Sequence, residues 1–459
     1  MQAKKILSKF LFYLPFLFFL TIHAEESPEK ITVELATDLY QHPFYIGAFQ
    51  AKDTDLPQDH IRHLEKILWE DLHFSLKAKL LEPKDALEKI LQKTRDEECF
   101  HAAVWNAENI SFVVRPKIIK NSLHVDVFIV HSSIVHTIKD IPLTGNIQED
   151  TAAAHEAADI ILERIFGEKG IAGSHILFTK TIPQKGVPKE EWISEIWEID
   201  YNGKYPKKII GNNSYNLTPT YFPNKAGRSE KFLFVSYLFG QPKIFLSSLS
   251  DPKAALLIQL RGNQLLPSVS RQGDKIAFIS DAAGRPDLFL QHFHPEKGPI
   301  GKPIQLFSYP RAVNASPTFS PDGNKIAFVS DKDWTPRIYL IELGNPPGNN
   351  DIVCLTMKNR ENTVPSWSPD GKKIAYSAKT NGIRQIWIYD FETKQEIQIT
   401  SGPGHKENPC FAPNSLHIVY NTTGEETDLY LVDIINKSPV KITSGPEINH
   451  YPAWEPKQK

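Results

Sequence analysis

A repeat that fills the C-terminal two-thirds of this chain constrains its fold more than any other feature. Residues 314–323 read NASPTFSPDG and residues 362–371 read NTVPSWSPDG, and a β-branched and aromatic run follows each copy. A proline takes the same place in six successive copies: Pro219, Pro267, Pro317, Pro365, Pro409 and Pro452. Subtraction of neighbouring residue numbers gives spacings of 48, 50, 48, 44 and 43 residues. Repeats of this length that contain short strands and lack amphipathic helices are typical of WD40-like β-propeller blades.

Each repeat divides into four short strands. In the copy that begins at Asn314, the first strand ends at Phe319 and the others cover residues 325–330, 337–341 and 352–356. The Ser-Pro-Asp-Gly segment is a hairpin turn, because proline presets φ at the first turn position and glycine accepts the left-handed conformation. Asp322 and Asp370 are therefore predicted to form turns rather than to act in catalysis.

The two ends of the repeat region complete one another. Residues 173–179, 195–199 and 207–210 supply three strands of a first blade that lacks its innermost strand, whereas residues 451–459 supply an innermost strand alone. The C-terminal strand is therefore predicted to complete the first blade and close the ring, which removes the open sheet edges that invite aggregation. Five full copies and this shared copy predict a six-bladed all-β propeller over residues 167–459.

The N-terminus has the pattern of an export signal. Lys4 and Lys5 precede an apolar run over residues 10–22, and Ala24 comes directly before two glutamates. This pattern predicts a secretory signal peptide over residues 1–24, because the apolar run is short for a membrane-spanning helix. The alternative is an N-terminal anchor that is not cleaved. The mature protein is expected to be exported.

Residues 25–166 show no repeat and predict a small α/β domain. Predicted strands cover residues 32–35, 45–49, 102–106, 110–118, 122–131 and 134–141. A first helix is predicted after Asp55, which can cap it, a second near residues 84–91, and a third over residues 149–166. Gly167 stops the third helix. The chain is thus predicted to be multidomain, with this α/β domain followed by the propeller.

No catalytic or metal-binding signature is present in the sequence. It contains no G-x-S-x-G elbow, Walker loop, G-x-G-x-x-G, H-E-x-x-H or EF-hand loop. His60 and His63 form an H-x-x-H pair without the further ligands that a zinc site needs. A net charge of −2 argues against a nucleic-acid-binding surface. The sequence therefore predicts no catalytic residues, no metal and no cofactor.

One set of polar residues recurs at the entrance to the predicted innermost strands. An amide side chain lies three residues before the proline in five copies: Asn216, Gln264, Asn314, Asn362 and Asn449. Other polar residues lie beside them: Asn263, Arg311, Arg360, His405 and His450. These loops encircle one mouth of a propeller channel, so the set is a candidate docking ring for a partner segment. Alternatively, the amides bond the backbone of their own loops.

Taken together, these features resemble the TolB family of the Tol–Pal system of Gram-negative envelopes. The resemblance rests on the signal peptide, the small α/β domain, the P-x-[WF]-S-P-D-G-x-K-I-A-[FY] repeats and the terminal Tyr451-Pro-Ala-Trp454 segment. It covers essentially the whole mature chain, and the joint Gly167-Glu-Lys-Gly170 also fits.

The resemblance implies a monomeric, non-enzymatic periplasmic scaffold that maintains outer-membrane integrity and supports envelope constriction at cell division. Such proteins bind the peptidoglycan-associated lipoprotein Pal through the channel mouth, where the polar ring is the candidate surface. Their mature N-terminus binds inner-membrane Tol proteins such as TolA, and Ile31, Thr32 and Val33 match that segment in position. The protein would be peripheral to membranes only through these partners.

The alternative is a peptidase-like or accessory hydrolase protein, because propellers of prolyl-oligopeptidase-type enzymes share the repeat. An enzyme of this kind needs a further hydrolase domain of roughly 200 residues and a nucleophile elbow. The absence of a G-x-S-x-G elbow from the sequence favours the scaffold.

Overall fold

The computed structural model describes residues 41–457, apart from residues 76, 95–99, 185, 188–191, 225–226, 345–351 and 425. The predicted signal peptide and the segment Ile31–Val33 lie outside the described residues. None of the described helices combines the length and the apolar character needed to cross a bilayer.

The N-terminal region is one mixed sheet covered by helices on both faces. Its strands are β1 (His42–Ile46), β2 (Gln50–Lys52), β3 (Ala78–Leu80), β4 (Phe112–Ile119), β5 (Ser122–Ile129) and β6 (Ile134–Pro142). Its helices are α1 (Gln58–Phe74), α2 (Asp85–Lys93), α3 (Ala102–Ala107) and α4 (Ile147–Phe166). The sheet order is β3-β1-β4-β5-β6, and β2 also pairs with β4.

Alternating apolar residues in the strands explain why both faces are covered. Phe44 and Val114 point into a core with the apolar faces of α1 and α4. Tyr45 and Phe128 point to the opposite face and pack with α2 and with Trp105 of α3. Side chains of neighbouring strand residues alternate between the two faces of a sheet, so the same strands supply both cores.

Two details of the predicted α/β domain are wrong. Residues 102–106 form helix α3 rather than a strand, because two alanines favour a helix and Trp105 is fully buried against α2 and the sheet. Asp55 does not cap α1, because the helix begins one residue after Pro57 and no side chain caps its first turn. By contrast, α4 begins with Asn146, whose side chain accepts from two backbone N–H groups, and Gly167 ends it in the left-handed conformation as predicted.

The propeller consists of six four-stranded antiparallel sheets, as the repeat predicts. Blade 1 takes β7 (His175–Ile182), β8 (Ile193–Asp200) and β9 (Lys207–Ile210). Blade 2 is β10 (Asn216–Tyr221), β11 (Lys231–Ser236), β12 (Lys243–Ser248) and β13 (Ala255–Leu256). Blade 3 is β14 (Gln264–Val269), β15 (Lys275–Ser280), β16 (Asp287–His294) and β17 (Gly298–Phe307).

The remaining blades follow the same plan. Blade 4 is β18 (Asn314–Phe319), β19 (Lys325–Ser330), β20 (Arg337–Glu342) and β21 (Val353–Cys354). Blade 5 is β22 (Asn362–Trp367), β23 (Lys373–Thr380), β24 (Ile383–Asp390) and β25 (Gln395–Gln398). Blade 6 is β26 (His405–Phe411), β27 (His417–Thr423), β28 (Leu429–Asp433) and β29 (Pro439–Lys441). The last strand, β30 (Ile448–Trp454), is the innermost strand of blade 1.

Ring closure by the C-terminal strand is confirmed. β30 pairs antiparallel with β7, with Ile448 opposite Thr181 and Trp454 opposite Ile176. The strand begins three residues earlier than predicted. Trp454 is almost fully buried, and its indole N–H donates to Ser174 Oγ at 2.9 Å. The chain terminus is thereby held by a hydrogen-bonded ladder and by a buried aromatic ring.

A bulge recurs in every innermost strand. The residue before each proline has a positive φ between 47° and 53°: Thr218, Leu266, Ser316, Val364, Asn408 and Tyr451. The pairing register with the second strand shifts at each of these positions. A positive φ is uncommon for residues other than glycine, and one extra residue in a strand bends it. The bend leaves two consecutive residues of each inner strand half-buried beside the channel, as at Leu217 and Thr218.

The Ser-Pro-Asp-Gly segments form the predicted turns. Ser320 Oγ accepts from Lys325 N–H at 2.9 Å, Asp322 accepts from Asn324 N–H at 3.0 Å, and Gly323 has a φ of 70°. Ser368 and Asp370 make the matching bonds in blade 5. The two aspartates therefore stabilise turns.

The α/β region packs on the end of the propeller that carries these turns. Tyr201, in the turn between β8 and β9, donates to Asp71 of α1 at 2.9 Å, and Asp71 also bonds His155 of α4 at 2.7 Å. Near the C-terminus, Lys457 bonds Asp159 of α4 at 3.1 Å. The start of the propeller falls between Phe166 and His175, and the domain boundaries at residues 24 and 166 stay predictions.

We expect that removal of residues 451–459 destroys the cooperative thermal transition and produces aggregates, because it exposes the edge of β7 and removes Trp454 from the core. Calorimetry and light scattering of the purified protein measure both effects. Ile435→Ala, an exposed change in blade 6, serves as the control and should melt like the parent. A monomeric truncation with the parental melting temperature would contradict ring closure as a requirement for folding.

Candidate functional site

One end of the propeller carries all the loops that lead into the innermost strands. In blade 4, the pairing register places Asn314 at the start of β18 opposite Ser330 at the end of β19. The loop before β18 and the loop between β19 and β20 therefore lie at the same end. The other blades repeat this register. We call this end the open rim, and the end that carries the turns and the α/β region the closed end.

The five repeated amide side chains lie in the interior of the open rim. Asn216, Gln264, Asn314, Asn362 and Asn449 are each at most 1% exposed. Asn314 donates to Pro286 O at 3.1 Å, and Asn362 donates to Asn359 O at 2.9 Å. Gln264 donates to Ile258 O at 3.0 Å, and Asn216 donates to Ser194 O at 2.8 Å. These bonds match the second interpretation of the pattern, in which the amides hold the loops of the rim in place.

Blade 6 fulfils the same role with a different residue. Lys406 stands three residues before Pro409, is buried, and donates to the carbonyl oxygens of Gly402, Pro403 and Gly404 at 2.6–3.0 Å. Burial lowers the pKa of Lys406. Sequence reasoning missed this residue, although its distance from the proline was a visible signal. Five of the six residues at this position donate to loop carbonyls, whereas Asn449 donates to the carboxylate of Asp428 at 3.2 Å.

The other predicted residues of the ring differ in accessibility. Arg311 and Arg360 are exposed, and neither forms an ion pair or a hydrogen bond within the part of the chain that the structure describes. Asn263 is half-buried and donates to Asp281 at 2.7 Å, and His405 accepts from Arg384 N–H at 3.1 Å. His450 bonds Thr181 Oγ1 at 3.0 Å, and burial lowers its pKa to about 4. The two arginines are therefore the members best placed to contact a partner.

A cavity of about 190 Å³ lies in the channel near the closed end. Small side chains of the inner strands line it: Thr220, Ser268, Thr318, Ser366 and Cys410. The second residues of the turns line the same cavity, and they are prolines in five blades: Pro223, Pro321, Pro369, Pro413 and Pro456.

Blade 3 carries Arg271 in place of that proline. Its guanidinium reaches blade 5 and the C-terminal segment, where it donates to Pro369 O at 3.1 Å and to Lys457 O at 3.4 Å. Arg271 therefore obstructs the closed end of the channel. The sequence marks this position as a departure from the repeat, but its role becomes visible only when blades 1, 3 and 5 are brought together.

The described residues contain no group of three or more histidine, cysteine or acidic side chains that could hold a metal ion. The H-x-x-H pair has a structural role, because His60 contacts Asp150 at 2.9 Å and His63 bonds Thr151 at 2.9 Å. Both contacts join α1 to α4.

We expect that Asn362→Ala lowers the free energy of unfolding by about 1–3 kcal/mol, because it leaves the carbonyl of Asn359 without its donor. Asn314→Ala should lower it by about 0.5–1.5 kcal/mol, because the carbonyl of Pro286 keeps the backbone N–H of Asn314 as a donor. Urea denaturation measures the loss. Arg311→Ala, an exposed change in the same rim, should stay within about 0.5 kcal/mol of the parent. Parental stability in both asparagine variants would show that the amides do not hold the rim.

His450 should contribute to acid sensitivity. Its pKa is about 4 in the folded protein and near 6.5 in an unfolded chain, so protonation favours unfolding. Its contribution to stability is complete above about pH 6.5 and is lost as the pH falls towards 4. His450→Gln should reduce the loss of unfolding free energy between these pH values by roughly 1–2 kcal/mol. Denaturation curves across this range measure the effect, and a profile identical to that of the exposed-site control His131→Gln would refute it.

Comparison with known proteins agrees with this architecture. A family model described as "TolB beta propeller domain" matches residues 162–458. "Protein TolB homolog" of Protochlamydia amoebophila (strain UWE25) is 42% identical over 384 residues, which are 83% of this chain and 82% of that protein. "Protein TolB homolog" of Chlamydia pneumoniae is 35% identical over 362 residues, which are 78% of this chain and 82% of that protein.

A solved structure supports the fold. The crystal structure of TolB from Acinetobacter baumannii covers 91% of this chain and 97% of its own, with a TM-score of 0.73 and 22% sequence identity. The family model and the two relatives confirm the predicted resemblance. The chain belongs to the TolB family and is a TolB-type propeller protein of the periplasmic Tol–Pal context.

Proposed function

We propose that this protein is a non-enzymatic periplasmic scaffold that binds a peptidoglycan-associated lipoprotein of the Pal type at the open rim. The signal peptide over residues 1–24 would direct its export. The segment with Ile31, Thr32 and Val33 would bind a TolA-like inner-membrane protein. Joined in this way, the partners would link the envelope layers, maintain outer-membrane integrity and support constriction at cell division.

The observation that carries this proposal is the unequal character of the two channel ends. The closed end is covered by the α/β region and obstructed by Arg271, whereas the open rim presents Arg311 and Arg360 without carboxylate partners among the described residues. Exposed arginines at a rigid rim are suited to bind an acidic protein surface, because they form directional hydrogen bonds with carboxylates.

The buried amides support the same proposal indirectly. They hold the rim loops through main-chain bonds, so the arginines are displayed on a preorganised frame. A partner that binds a rigid rim loses less conformational freedom than one that must order flexible loops, which favours affinity. The ring is therefore proposed as a site in which the asparagines position the surface and the arginines contact the partner.

We expect the parent protein to bind the purified periplasmic domain of the lipoprotein, and Arg311→Glu with Arg360→Glu to weaken this binding at least tenfold, about 1.4 kcal/mol. Calorimetric titration measures the dissociation constant. Lys394→Glu is the matched control, because it makes the same charge change in an exposed turn of the closed end. Deletion of residues 25–40 should leave lipoprotein binding unchanged and abolish binding of the TolA-like domain.

Parental lipoprotein affinity in the double arginine variant would move the site away from the open rim. Failure of the parent to bind the lipoprotein, together with a peptidase activity that serine-directed labelling abolishes, would favour the hydrolase alternative.

A further inference from the structure

A tryptophan lies on the open rim at a position whose backbone conformation favours glycine. Residues 331–334 form the turn between β19 and β20, in which Trp334 N–H donates to Asp331 O at 2.8 Å. The corresponding turns of blades 2 and 3 end in Gly240 and Gly284, with the same backbone bond at 2.8 Å. All three residues have positive φ values, of 72° for Trp334, 81° for Gly240 and 103° for Gly284.

Neither the backbone nor the packing accounts for this tryptophan. A bulky side chain at positive φ is strained, whereas glycine adopts the conformation freely. The indole is 88% exposed, so burial does not offset the strain. Strained backbone conformations cluster at ligand and switch sites, so a strained residue without packing motivates a hypothesis of function.

Trp334 belongs to a patch of exposed apolar residues on blade 4. We define the blade 4 patch as Tyr309, Val313, Trp334 and Met357, all of which are exposed. Hydrogen bonds hold its loops together, because Val313 N–H donates to Asp331 Oδ1 at 2.7 Å. Arg337 connects the third loop, with its Nη1 atom 3.7 Å from Met357 Sδ. Tryptophan, tyrosine and methionine are enriched in the cores of protein–protein interfaces.

The charge around the blade 4 patch indicates what kind of surface would cover it. Arg311 and Arg360 flank it in the loops that supply Val313 and Met357. Two nearby carboxylates are paired with cations: Asp333 with Lys332, and Glu361 with Lys379 and Arg384. Asp331 accepts from the neutral Val313 N–H and keeps its charge. The two unpaired arginines outweigh this single aspartate, so the remaining charge is positive and a complementary surface would be acidic.

We propose that the blade 4 patch is the apolar anchor of the lipoprotein-binding surface, with Trp334 inserted into an apolar pocket of the lipoprotein that is rimmed by acidic side chains. This inference rests on the proposed function and moves the main contact from the centre of the polar ring to one side of the open rim. Arg311 and Arg360 would bind the acidic side chains around that pocket. An aromatic anchor surrounded by charge is the common arrangement of an interface hot spot.

Trp334→Gly tests the proposal without endangering the fold. The change restores the residue found in blades 2 and 3, so the melting temperature should stay the same or rise. The dissociation constant for the periplasmic domain of the lipoprotein, measured by calorimetric titration, should increase at least tenfold. Met357→Ala, at a second exposed member of the patch, should weaken binding in the same direction.

Tyr205→Gly is a closely matched control. Tyr205 is also an exposed aromatic residue at positive φ, with 56% of its surface accessible and a φ of 52°, but it lies in the β8–β9 turn at the closed end. This variant should bind the lipoprotein like the parent. Equal loss of affinity in Trp334→Gly and Tyr205→Gly would overturn the proposal.

The remaining outcomes separate this inference from the proposed function. If the parent binds the lipoprotein and both Trp334→Gly and Met357→Ala bind equally well, the proposed function stands and the blade 4 patch is not its anchor. If the parent does not bind the lipoprotein, the proposed function and this inference fail together. A parent that dimerises or binds anionic vesicles through Trp334, with unchanged lipoprotein affinity in Trp334→Gly, would assign the patch to another occupant and overturn the inference.

Discussion

The ladder between β30 and β7 is the interaction on which the rest of the propeller depends. It joins the last described strand to the first strand of blade 1 and leaves no blade without its innermost strand. The residue after this strand, Glu455, bonds His175 at 2.8 Å and accepts from Ser229 N–H at 2.9 Å. Closure therefore also fixes a turn of blade 2 and the end that the α/β region covers.

Much of this architecture could be predicted, because the same strand and turn pattern occurs in each copy of the repeat. The spacing of Pro365 and its equivalents predicts the number of blades, and the orphan strand before Trp454 predicts the closure. The burial of Asn314 could not be predicted in the same way. A repeated asparagine at a loop is compatible with a partner site and with main-chain bonding, and only the three-dimensional distance to Pro286 O decides between them. The predicted strand over residues 102–106 was wrong for a related reason. The burial of Trp105 depends on helix α2 and on one face of the sheet, which are distant in the sequence.

The bulges illustrate how strain can serve the scaffold rather than the site. Six residues at positive φ occur at equivalent positions, and each is followed by the proline that marks its blade. Because the feature is common to all blades, it explains the shape of the channel but cannot distinguish one side of the rim from another. Trp334 also has a positive φ, yet it has glycine equivalents in blades 2 and 3. Among these three equivalent turns only that of blade 4 has a residue other than glycine at the positive φ, which points to a local role.

Residues that depart from the repeat make the blades, and the two ends of the channel, differ from one another. Arg271 replaces a turn proline and obstructs one end of the channel, and Lys406 replaces an amide while retaining its bonds to loop carbonyls. Trp334 occupies the position of a glycine, and its side chain is exposed rather than packed. Only the Lys406 substitution preserves the role of the residue it replaces. A symmetric ring offers six equivalent approaches to a partner, so a single partner requires features that differ among the blades, and Arg271 and Trp334 supply them at opposite ends of the channel.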